Sequence, residues 1–271
     1  DKLSKLGGRA QVIERNGYKY DTGPTVITAP FLFEELFNLF NEKLSDYLDF
    51  KPLDPWYRFH FHDSTTFDYS STIEETKKEI SKFSPEDAES YDNLLKESEK
   101  IFDIGFTKLS DQPFTSFWTM IKQIPYLLKL KSYESVSKMV SRHIKNKKIR
   151  SAFSIHPLLV GGNPYTTTSI YSLIHFLERK WGVFFCMGGT GKLVEELTNL
   201  MKRNDINIET NKNLKSVEHK DSVAYKAITE CGKEYKFDNL IFNGDPPVFY
   251  KEILKPASRN FLNPIFPAKA L

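Results

Sequence analysis

The sequence predicts a mixed α/β fold with α+β elements, because three kinds of pattern follow one another along its 271 residues. Short alternating segments around tight-turn residues predict two β-hairpins within the first 70 residues. Apolar residues at helical spacing predict a mostly helical block from Ile73 to Arg150. A strand, a helix and a second strand are then predicted from WGVFFCM, GGTGKLVEELTNLMKRND and INIETN, and such a crossover is typical of a parallel sheet.

The first block begins with a hairpin and a helix. Asn16 and Gly17 supply the positive φ angles of a tight turn between two short strands. Pro30 suits the first turn of a helix. The second hairpin is predicted from YRFHFHDSTTFDYS, in which aromatic and polar residues alternate. One apolar face of the helix is expected to contain Leu32, Leu36, Phe37 and Phe40.

The helical block contains a sharply defined helix start. Ser84 is placed to cap a helix whose first residue is Pro85. Glu86 and Asp87 suit the positive end of the helix dipole. The sequence therefore predicts a helix boundary at Ser84.

The composition indicates a globular protein with a sizeable core. Hydrophobic residues make up 40% and aromatic residues 14% of the chain, which suits two domains or one elaborated domain. The net charge of +3 is spread over interleaved acids and bases, so binding to nucleic acid is not predicted. Two cysteines without metal-ligand spacing fit a reducing, cytoplasmic compartment. His60 and His62 share a strand face without a third ligand, so no metal site is predicted.

Gly7, Gly8 and Arg9 form a turn motif near the start of the chain. Paired glycines let backbone N–H groups approach an anion, and an arginine can donate two hydrogen bonds to phosphate or carboxylate oxygens. The motif suits a diphosphate, but a glycine pair is also ordinary surface-turn sequence.

Three segments of the sequence share one resemblance: GGRA, YDTGPTVI and the long run from Ala152 to Leu193. They resemble the bacterial-type phytoene desaturases, flavoproteins that dehydrogenate long polyene hydrocarbons. The resemblance implies an incomplete Rossmann-like FAD-binding domain with an inserted substrate domain of antiparallel strands and helices. It implies a partial FAD-binding domain at residues 1–50, a substrate and membrane-associating domain at 51–185 and a return to the FAD-binding domain at 186–271.

In that family a GxGxxG strand-turn-helix precedes the glycine turn, and a glycine-rich flavin segment closes the cofactor domain. This sequence contains neither, so we expect it to be an internal fragment. The segment FDNLIFNGDPP is expected to be the strand that returns to the flavin domain.

The resemblance also implies which residues bind FAD. Asp1 is expected to bind the adenosine ribose, and Leu214 the adenine, although Leu214 is equally consistent with an ordinary strand residue. The positions implied along the diphosphate and ribityl chain are Gly7, Gly8, Arg9 and Ala10. Those implied near the isoalloxazine and in a turn beside the cofactor are Gly23, Pro24, Thr25, Asn243, Gly244 and Asp245.

The GGTGK segment invites a competing interpretation as a Walker A phosphate loop. That loop requires an earlier glycine and a Ser or Thr after the lysine, and Cys186 and Leu193 occupy those positions. A nucleotide triphosphatase is therefore disfavoured. By the resemblance, Gly188, Gly189 and Gly191 let a helix start tightly beneath the substrate cavity.

The implied reaction is dehydrogenation of phytoene towards lycopene, with hydride transfer to the flavin. An unactivated hydrocarbon gives a nucleophile or a metal nothing to bind, so the protein must line an apolar tunnel and handle a proton. Candidate residues for the proton step are Arg150, His156 and His175, although a buried histidine more commonly satisfies a core hydrogen bond. Candidate lining residues are Leu159, Tyr171, Trp181 and Phe184.

Phytoene is insoluble in water, so peripheral contact with the inner face of the cell membrane is expected. The stretch PFTSFWTMIKQIPYLLKLKSYESVSKMV suits a bilayer surface, with Pro125 dividing it into two short helices. A helix pair packed on the protein is the alternative. The expected apolar contacts are Phe114, Phe117, Trp118, Ile121, Ile124, Leu127 and Leu128. The expected headgroup contacts are Lys122, Lys129, Lys131 and Lys138.

Two other functions stay open at this stage. One is another carotenoid oxidoreductase, such as a later-step desaturase, an isomerase or a ketolase. The other is a lipid-binding module without catalysis. For an oxidoreductase, oxygen or a membrane quinone is the expected electron acceptor.

Overall fold

The computed structural model describes residues 1–108, 117–220 and 223–254, and of residues 108, 117–120, 122 and 123 only the backbone. The chain forms two compact units: residues 1–23 with residues from 190 onward, and residues 24–189. The boundary expected near residue 50 differs from this division. Residues 24–50 belong to the second unit because their first strand, Val26–Ile27, pairs with Phe184–Cys186.

The strands of the described chain are short, and the helices lie mainly between residues 73 and 203. The strands are β1 (Val12–Arg15), β2 (Tyr18–Asp21), β3 (Val26–Ile27), β4 (Phe50–Pro52), β5 (Tyr57–His60), β6 (Thr66–Tyr69), β7 (Phe184–Cys186), β8 (Leu214–Lys220), β9 (Val223–Thr229) and β10 (Glu234–Lys236). The helices are α1 (Phe31–Asn38), α2 (Ile73–Ser81), α3 (Pro85–Phe102), α4 (Phe117–Lys129), α5 (Val136–His143), α6 (Lys147–Phe153), α7 (Leu173–Trp181), α8 (Gly189–Arg203) and α9 (Pro246–Val248).

The first unit contains the β1–β2 hairpin, helix α8 and an antiparallel sheet in the order β10-β9-β8. Asn16 and Gly17 have φ angles of 52° and 80°, which confirms the predicted turn. A small apolar cluster is centred on the buried side chains of Val217, Ala227 and Ile253.

The predicted parallel crossover is wrong for the described residues, where every strand pairing is antiparallel. The segment 206–211 is not a strand. Its backbone instead bonds to the start of the chain, where the Asp1 nitrogen donates to the Glu209 carbonyl at 2.7 Å and Asn211 N–H donates to the Leu3 carbonyl at 3.0 Å. The expected returning segment 237–247 also contains no strand.

The second unit packs helices α2, α3, α5, α6 and α7 around the β5–β6 hairpin and a sheet in the order β3-β7-β4. Its core is aromatic: Phe67, Tyr69, Tyr91 and Phe153 are at most 2% exposed, and the rings of Tyr91 and Phe153 stack 5.1 Å apart. Burial of each such ring contributes about 1.5–3 kcal/mol. The long middle block is helical as predicted.

Two local predictions can be compared directly with helix geometry. The Ser84 hydroxyl accepts a hydrogen bond from Asp87 N–H at 3.3 Å and Pro85 begins α3, which confirms the predicted cap. In α1, Phe37 is fully buried but Leu32 is 49% exposed, so the predicted apolar face is only partly covered.

Helix α4 runs without a break through Pro125, so the predicted division into two segments is wrong. A proline inside a helix removes one N–H donor, and the flanking turns of a 13-residue helix can tolerate that loss. Among the described residues, no helix combines the length and the hydropathy that a membrane span requires.

Candidate functional site

The glycine turn of the first unit adopts a backbone conformation that favours glycine. Gly7 and Gly8 have φ angles of 112° and 54°, and residues Gly8–Ala10 form one 3₁₀ turn. Ala10 N–H donates to the Gly7 carbonyl at 2.8 Å and closes the turn. Side chains other than glycine are strained at these φ angles, so the paired glycines of the motif have a conformational reason.

The turn lies directly against Gly23. A Cβ atom at Gly23 would stand 2.0 Å from the Arg9 carbonyl oxygen and 3.1 Å from the Ala10 Cα atom. On its other side, a Cβ at Gly7 would stand 3.1 Å from the Val194 side chain of α8. The structure therefore brings GGRA and Gly23 together, and only glycine at position 23 permits this approach.

The exposed side of the turn offers donors for an anion. In the described part of the chain, the N–H groups of Gly8 and Arg9 have no acceptor, and the Arg9 guanidinium has no carboxylate partner. A Cβ at Gly8 would meet no atom within 4 Å, so a ligand can approach its backbone. Two adjacent free N–H groups and a guanidinium fit the diphosphate of a dinucleotide.

The other sequence-predicted cofactor residues are dispersed. The Asp1 carboxylate accepts a hydrogen bond from Leu3 N–H at 2.7 Å. Leu214 begins β8 and packs on the small apolar cluster of the first unit. Pro24 and Thr25 follow Gly23 directly. The turn implied near the cofactor, Asn243 to Asp245, immediately precedes α9, which begins at Pro246.

The GGTGK turn has an internal partner for its helix N-terminus. The Asp21 carboxylate accepts hydrogen bonds from the N–H groups of Thr190 at 3.0 Å and Gly191 at 3.4 Å. A Cβ at Gly191 would stand 2.4 Å from the Val12 side chain, which explains the glycine by packing against β1. A carboxylate at this helix end repels phosphate, which supports the rejection of a triphosphate-binding loop.

The two candidate histidines lie together in the core of the second unit. His156 and His175 are each 1% exposed, and their rings stack 5.5 Å apart. The His156 Nε2–H group bonds to Glu178 Oε2 at 3.0 Å, whereas its buried Nδ1 has no partner among the described residues. A carboxylate that binds one ring nitrogen leaves the other as an unprotonated acceptor when the imidazole is neutral.

His175 is held in its neutral form. Burial, followed by the charges of His156 and Arg179, holds the pKa of His175 well below its usual 6.5. Tyr91 accepts a hydrogen bond from Arg179 Nε at 3.1 Å, so its own hydroxyl donates to His175 Nε2 at 3.0 Å. This arrangement assigns the His175 proton to Nδ1.

Sequence reasoning missed the two charged residues that organise this cluster. Glu178 is fully buried, and its second oxygen accepts from the Tyr57 hydroxyl at 2.7 Å. Arg179 lies 4.5 Å from the ring centres of both Trp56 and Tyr69. A Glu-Arg pair in a helical segment is usually exposed, and only the apolar spacing around LERKW hinted that one face of α7 is buried.

Arg150 does not join the histidine cluster through any recorded contact. Its side chain is half-buried on α6, and no ion pair or side-chain hydrogen bond involves it in the described residues. The structure thus brings together two of the three residues predicted for the proton step.

The predicted lining residues occupy different environments in the second unit. Trp181 contacts Phe31, Phe102 and Phe106 at ring distances of 4.7–5.4 Å. Leu159 is 45% exposed, whereas Tyr171 packs on the main core and Phe184 lies in the central strand β7. The structure therefore assigns an aromatic cluster to Trp181 and an exposed apolar position to Leu159.

Part of the predicted membrane segment lies outside the described residues, namely Phe114 and the side chains of Phe117, Trp118 and Lys122. On the described part of α4, Ile124 is 46% and Leu128 60% exposed. These two positions are four residues apart and share one helix face.

The buried neutral His175 predicts a pH-dependent stability. Its pKa is lower in the folded than in the unfolded state, so below about pH 6.5 the unfolded state binds more protons and the free energy of unfolding falls. For the full-length protein we expect urea unfolding to show a loss of up to about 2 kcal/mol from this group between pH 7 and 5. His175→Gln should flatten this component, and the exposed control His62→Gln should retain it. An identical pH dependence in wild type and His175→Gln would contradict the assignment.

The comparisons with known proteins agree with one another. The model of the family described as flavin containing amine oxidoreductases matches residues 3–270. A phytoene desaturase (lycopene-forming) of Pseudescherichia vulneris is 40% identical over 94% of this chain and 52% of that protein. The enzyme of that name from Pantoea ananas is 37% identical with the same coverage, and a 4,4'-diapolycopen-4-al dehydrogenase of Metabacillus indicus is 31% identical over 96% of this chain and 54% of that protein. The chain spans about half the length of the curated relatives it matches.

Solved structures share the fold at low identity. Putrescine oxidase bound to putrescine matches with a TM-score of 0.60 and 10% identity, over 94% of this chain and 54% of that one. A CLA-producing fatty acid isomerase from P. acnes matches with a TM-score of 0.58 and 12% identity over the same shares. These matches confirm the predicted α/β fold class. The chain belongs to the flavin containing amine oxidoreductase family, and the flavin in that description agrees with the expected FAD cofactor.

Proposed function

We propose that this chain forms about half of an FAD-dependent desaturase that dehydrogenates phytoene towards lycopene. The observation that carries the proposal is the 36–40% identity, over 94% of the chain, with three relatives named as lycopene-forming phytoene desaturases. Relatives named as neurosporene-forming are 27% identical. The gradient of identity favours lycopene as the product.

The proposed chemistry removes two hydrogens from neighbouring carbons and leaves a new carbon–carbon double bond. One hydrogen leaves as a hydride and the other as a proton, and the oxidised flavin, when bound, supplies the hydride acceptor. The residues of this chain bind the cofactor, hold the hydrocarbon away from water and receive the proton. Oxygen or a membrane quinone is the proposed final electron acceptor.

The glycine turn is the proposed binding site for the FAD diphosphate. The free N–H groups of Gly8 and Arg9 donate to phosphate oxygens, and the Arg9 guanidinium neutralises their charge. Gly23 keeps the turn in place because its missing side chain leaves room for the Arg9 carbonyl. The proposed contacts of Asp1, Leu214 and Asn243–Asp245 with the cofactor still rest on the family resemblance.

Apolar side chains of the second unit are proposed to hold the hydrocarbon. Leu158, Leu159 and Val160 follow His156 and Pro157 in the same 3₁₀ turn and are 44–59% exposed. Exposed aliphatic side chains next to a buried polar cluster suit a substrate without polar groups. The aromatic cluster around Trp181 supplies further apolar surface in the same unit.

His156 is the proposed proton acceptor. Its Nδ1 is unpartnered among the described residues, while Nε2 is held by Glu178, and Tyr57 holds the second carboxylate oxygen. Burial and the Glu178 carboxylate raise the pKa of Tyr57, so this hydroxyl stays protonated and keeps donating. A developing imidazolium at His156 is stabilised by the carboxylate beside it.

Peripheral membrane contact is proposed for α4, because phytoene must be delivered from a lipid phase. The support is the exposed apolar pair Ile124 and Leu128, followed by Lys129 and Lys131 at the end of the helix. An inner-face location is proposed on the same basis.

A second candidate is another carotenoid oxidoreductase. The 31% identity with a protein named 4,4'-diapolycopen-4-al dehydrogenase favours it, because that name describes oxidation of an aldehyde at the end of a polyene. Both candidates share the flavin turn and the apolar second unit, and they differ in the reacting carbon.

The glycine approach predicts the effect of a single methyl group on flavin binding. Gly23→Ala in the full-length protein should displace the Arg9 carbonyl and lower bound FAD by at least about tenfold, because the added Cβ cannot coexist with that oxygen. Arg9→Ala, which adds no bulk, should weaken FAD binding mainly at low salt. Flavin absorbance per protein measures both. In the control Gly232→Ala the added Cβ meets no atom within 4 Å, and only the φ of 84° strains the alanine, so this variant should keep its FAD. Normal FAD content in Gly23→Ala would show that the turn does not bind the cofactor.

The substrate assignment predicts a pigment change in cells. The complete reading frame that contains this sequence, expressed in cells that accumulate phytoene, should convert colourless phytoene to red lycopene, identified by chromatography. Persistent phytoene together with oxidation of a supplied polyene aldehyde would instead establish the second candidate. Empty-vector cells and cells with the Gly23→Ala variant, which is expected to lose FAD, provide the negative controls.

The proton assignment predicts a selective loss of rate. His156→Gln should lower turnover per bound FAD at least about tenfold, since an imidazole base typically contributes 10²–10⁴-fold. His62→Gln, an exposed histidine of the same unit, should retain wild-type turnover. Because the rate is normalised to bound FAD, partial unfolding does not imitate the effect. Wild-type turnover in His156→Gln would remove this residue from the mechanism.

A further inference from the structure

A cavity of 480 Å³ opens on the second unit among helices α3, α4 and α5. It is lined by basic side chains from three places along the chain: Lys96 and Lys100 of α3, Lys129 and Lys131 at the end of α4, and Arg142 of α5. The proposed catalytic cluster uses none of these residues, and the sequence pattern pointed only to the α4 pair.

The carboxylate of the cavity is already neutralised by other groups. Glu97 accepts from Arg142 Nη2 at 2.6 Å and contacts His143 Nε2 at 2.5 Å. Burial opposes ionisation, but the hydrogen bonds from His143 and Arg142 hold the pKa of Glu97 below its usual value. Glu97 is therefore an anion that is fully engaged by its own neighbours.

The four lysines retain their charge without a protein counterion. Lys96, Lys100, Lys129 and Lys131 form no ion pair with any described residue. Arg142 is paired both with Glu97 and, at 3.3 Å, with Glu134, so the uncompensated positive charge of the lining comes from the four lysines. Like charges around one cavity repel each other, so an anion bound there would relieve the repulsion.

The lysines at the end of α4 stand on a well-held turn. The Ser169 hydroxyl donates to the Lys131 carbonyl at 3.2 Å, and the Thr168 hydroxyl donates to the next carbonyl, that of Ser132. Leu130, between the two lysines, packs on the main apolar core. The turn is thus anchored to the body of the unit, which fixes the position of one side of the cavity.

Exposed apolar side chains lie on the same stretch of chain as the basic cavity. Ile124 and Leu128 precede it on α4, and Tyr133, which is 72% exposed, follows it. A soluble anion would need only the lysines. A phospholipid needs both features, since its phosphate seeks cations and its acyl chains seek apolar side chains.

We propose that this cavity binds the phosphate headgroup of an anionic phospholipid, with Ile124, Leu128 and Tyr133 entering the adjoining lipid surface. The inference rests on the proposed membrane contact and specifies its lipid and its residues. Lys96 and Lys100 would be headgroup ligands contributed by a helix outside the amphipathic segment.

The test is flotation of the full-length protein with phosphatidylcholine vesicles. One set of vesicles contains phosphatidylcholine alone, and in the other about one lipid in three is the anionic phosphatidylglycerol. Wild type should bind the anionic vesicles and be released by salt. Lys96→Gln/Lys100→Gln should bind about 30-fold more weakly, since each lysine near an anionic surface contributes about 1 kcal/mol. The matched control is Lys78→Gln/Lys147→Gln, which removes the same charge from exposed positions outside the cavity.

Each outcome decides the inference. If both double variants weaken vesicle binding equally, the attraction is nonspecific and the cavity is not the headgroup site. If glycerol phosphate or inorganic phosphate raises the melting temperature of the protein but vesicles do not bind, the ligand is a soluble anion and the lipid proposal is wrong. Vesicle binding is measured without substrate and is therefore independent of the proposed function. If the Lys96→Gln/Lys100→Gln variant binds vesicles normally and still forms lycopene, the headgroup site is refuted and the proposed function is retained.

Discussion

The close approach of the Arg9 carbonyl to Gly23 is the constraint on which the proposed FAD site of this chain depends. The oxygen lies 2.0 Å from where a Cβ of residue 23 would be, so any other residue there must displace the turn. The same turn needs positive φ angles at Gly7 and Gly8. The absence of a side chain at these glycines therefore permits the turn conformation and the close approach. The resulting surface has two free N–H groups beside a guanidinium, an arrangement that suits the diphosphate of the proposed FAD cofactor.

The second unit solves a different problem, the burial of charge in an aromatic core. An isolated buried carboxylate costs several kcal/mol, and Glu178 avoids that cost because Tyr57 and His156 each bond to one of its oxygens. Arg179 is satisfied by aromatic faces and by Tyr91. The consequence is a buried polar cluster within the aromatic core, in which His156 Nδ1 has no hydrogen-bond partner among the described residues.

The surface of the second unit carries its positive charge unevenly. Elsewhere in this unit lysines pair with carboxylates, as Lys77 of α2 does with Asp92 of α3 and Lys82 with Glu79. Among the described residues that line the α3–α4–α5 cavity, Glu97 is the one carboxylate, and it is paired with Arg142 and His143, so four lysines face solvent without an ion pair. The net charge of the whole chain is only +3, so it does not reveal this local positive potential. The potential arises because three separate segments bring their basic side chains to one cavity.

Local chemistry by itself determined the Asn16–Gly17 turn and the Ser84 cap, because both depend on residues within three positions of each other. The family resemblance likewise needed only contiguous residues such as GGRA. Strand pairing was decided by tertiary structure, because an alternating apolar pattern predicts a strand but not its partner. In the structure β7 pairs with β3 and β4, and the expected parallel crossover does not form among the described residues. Glu178 bonds to a tyrosine 121 residues away, and Lys96 and Lys131 line the same cavity only because their helices pack together. Long-range packing alone sets such contacts, so no local pattern predicts them.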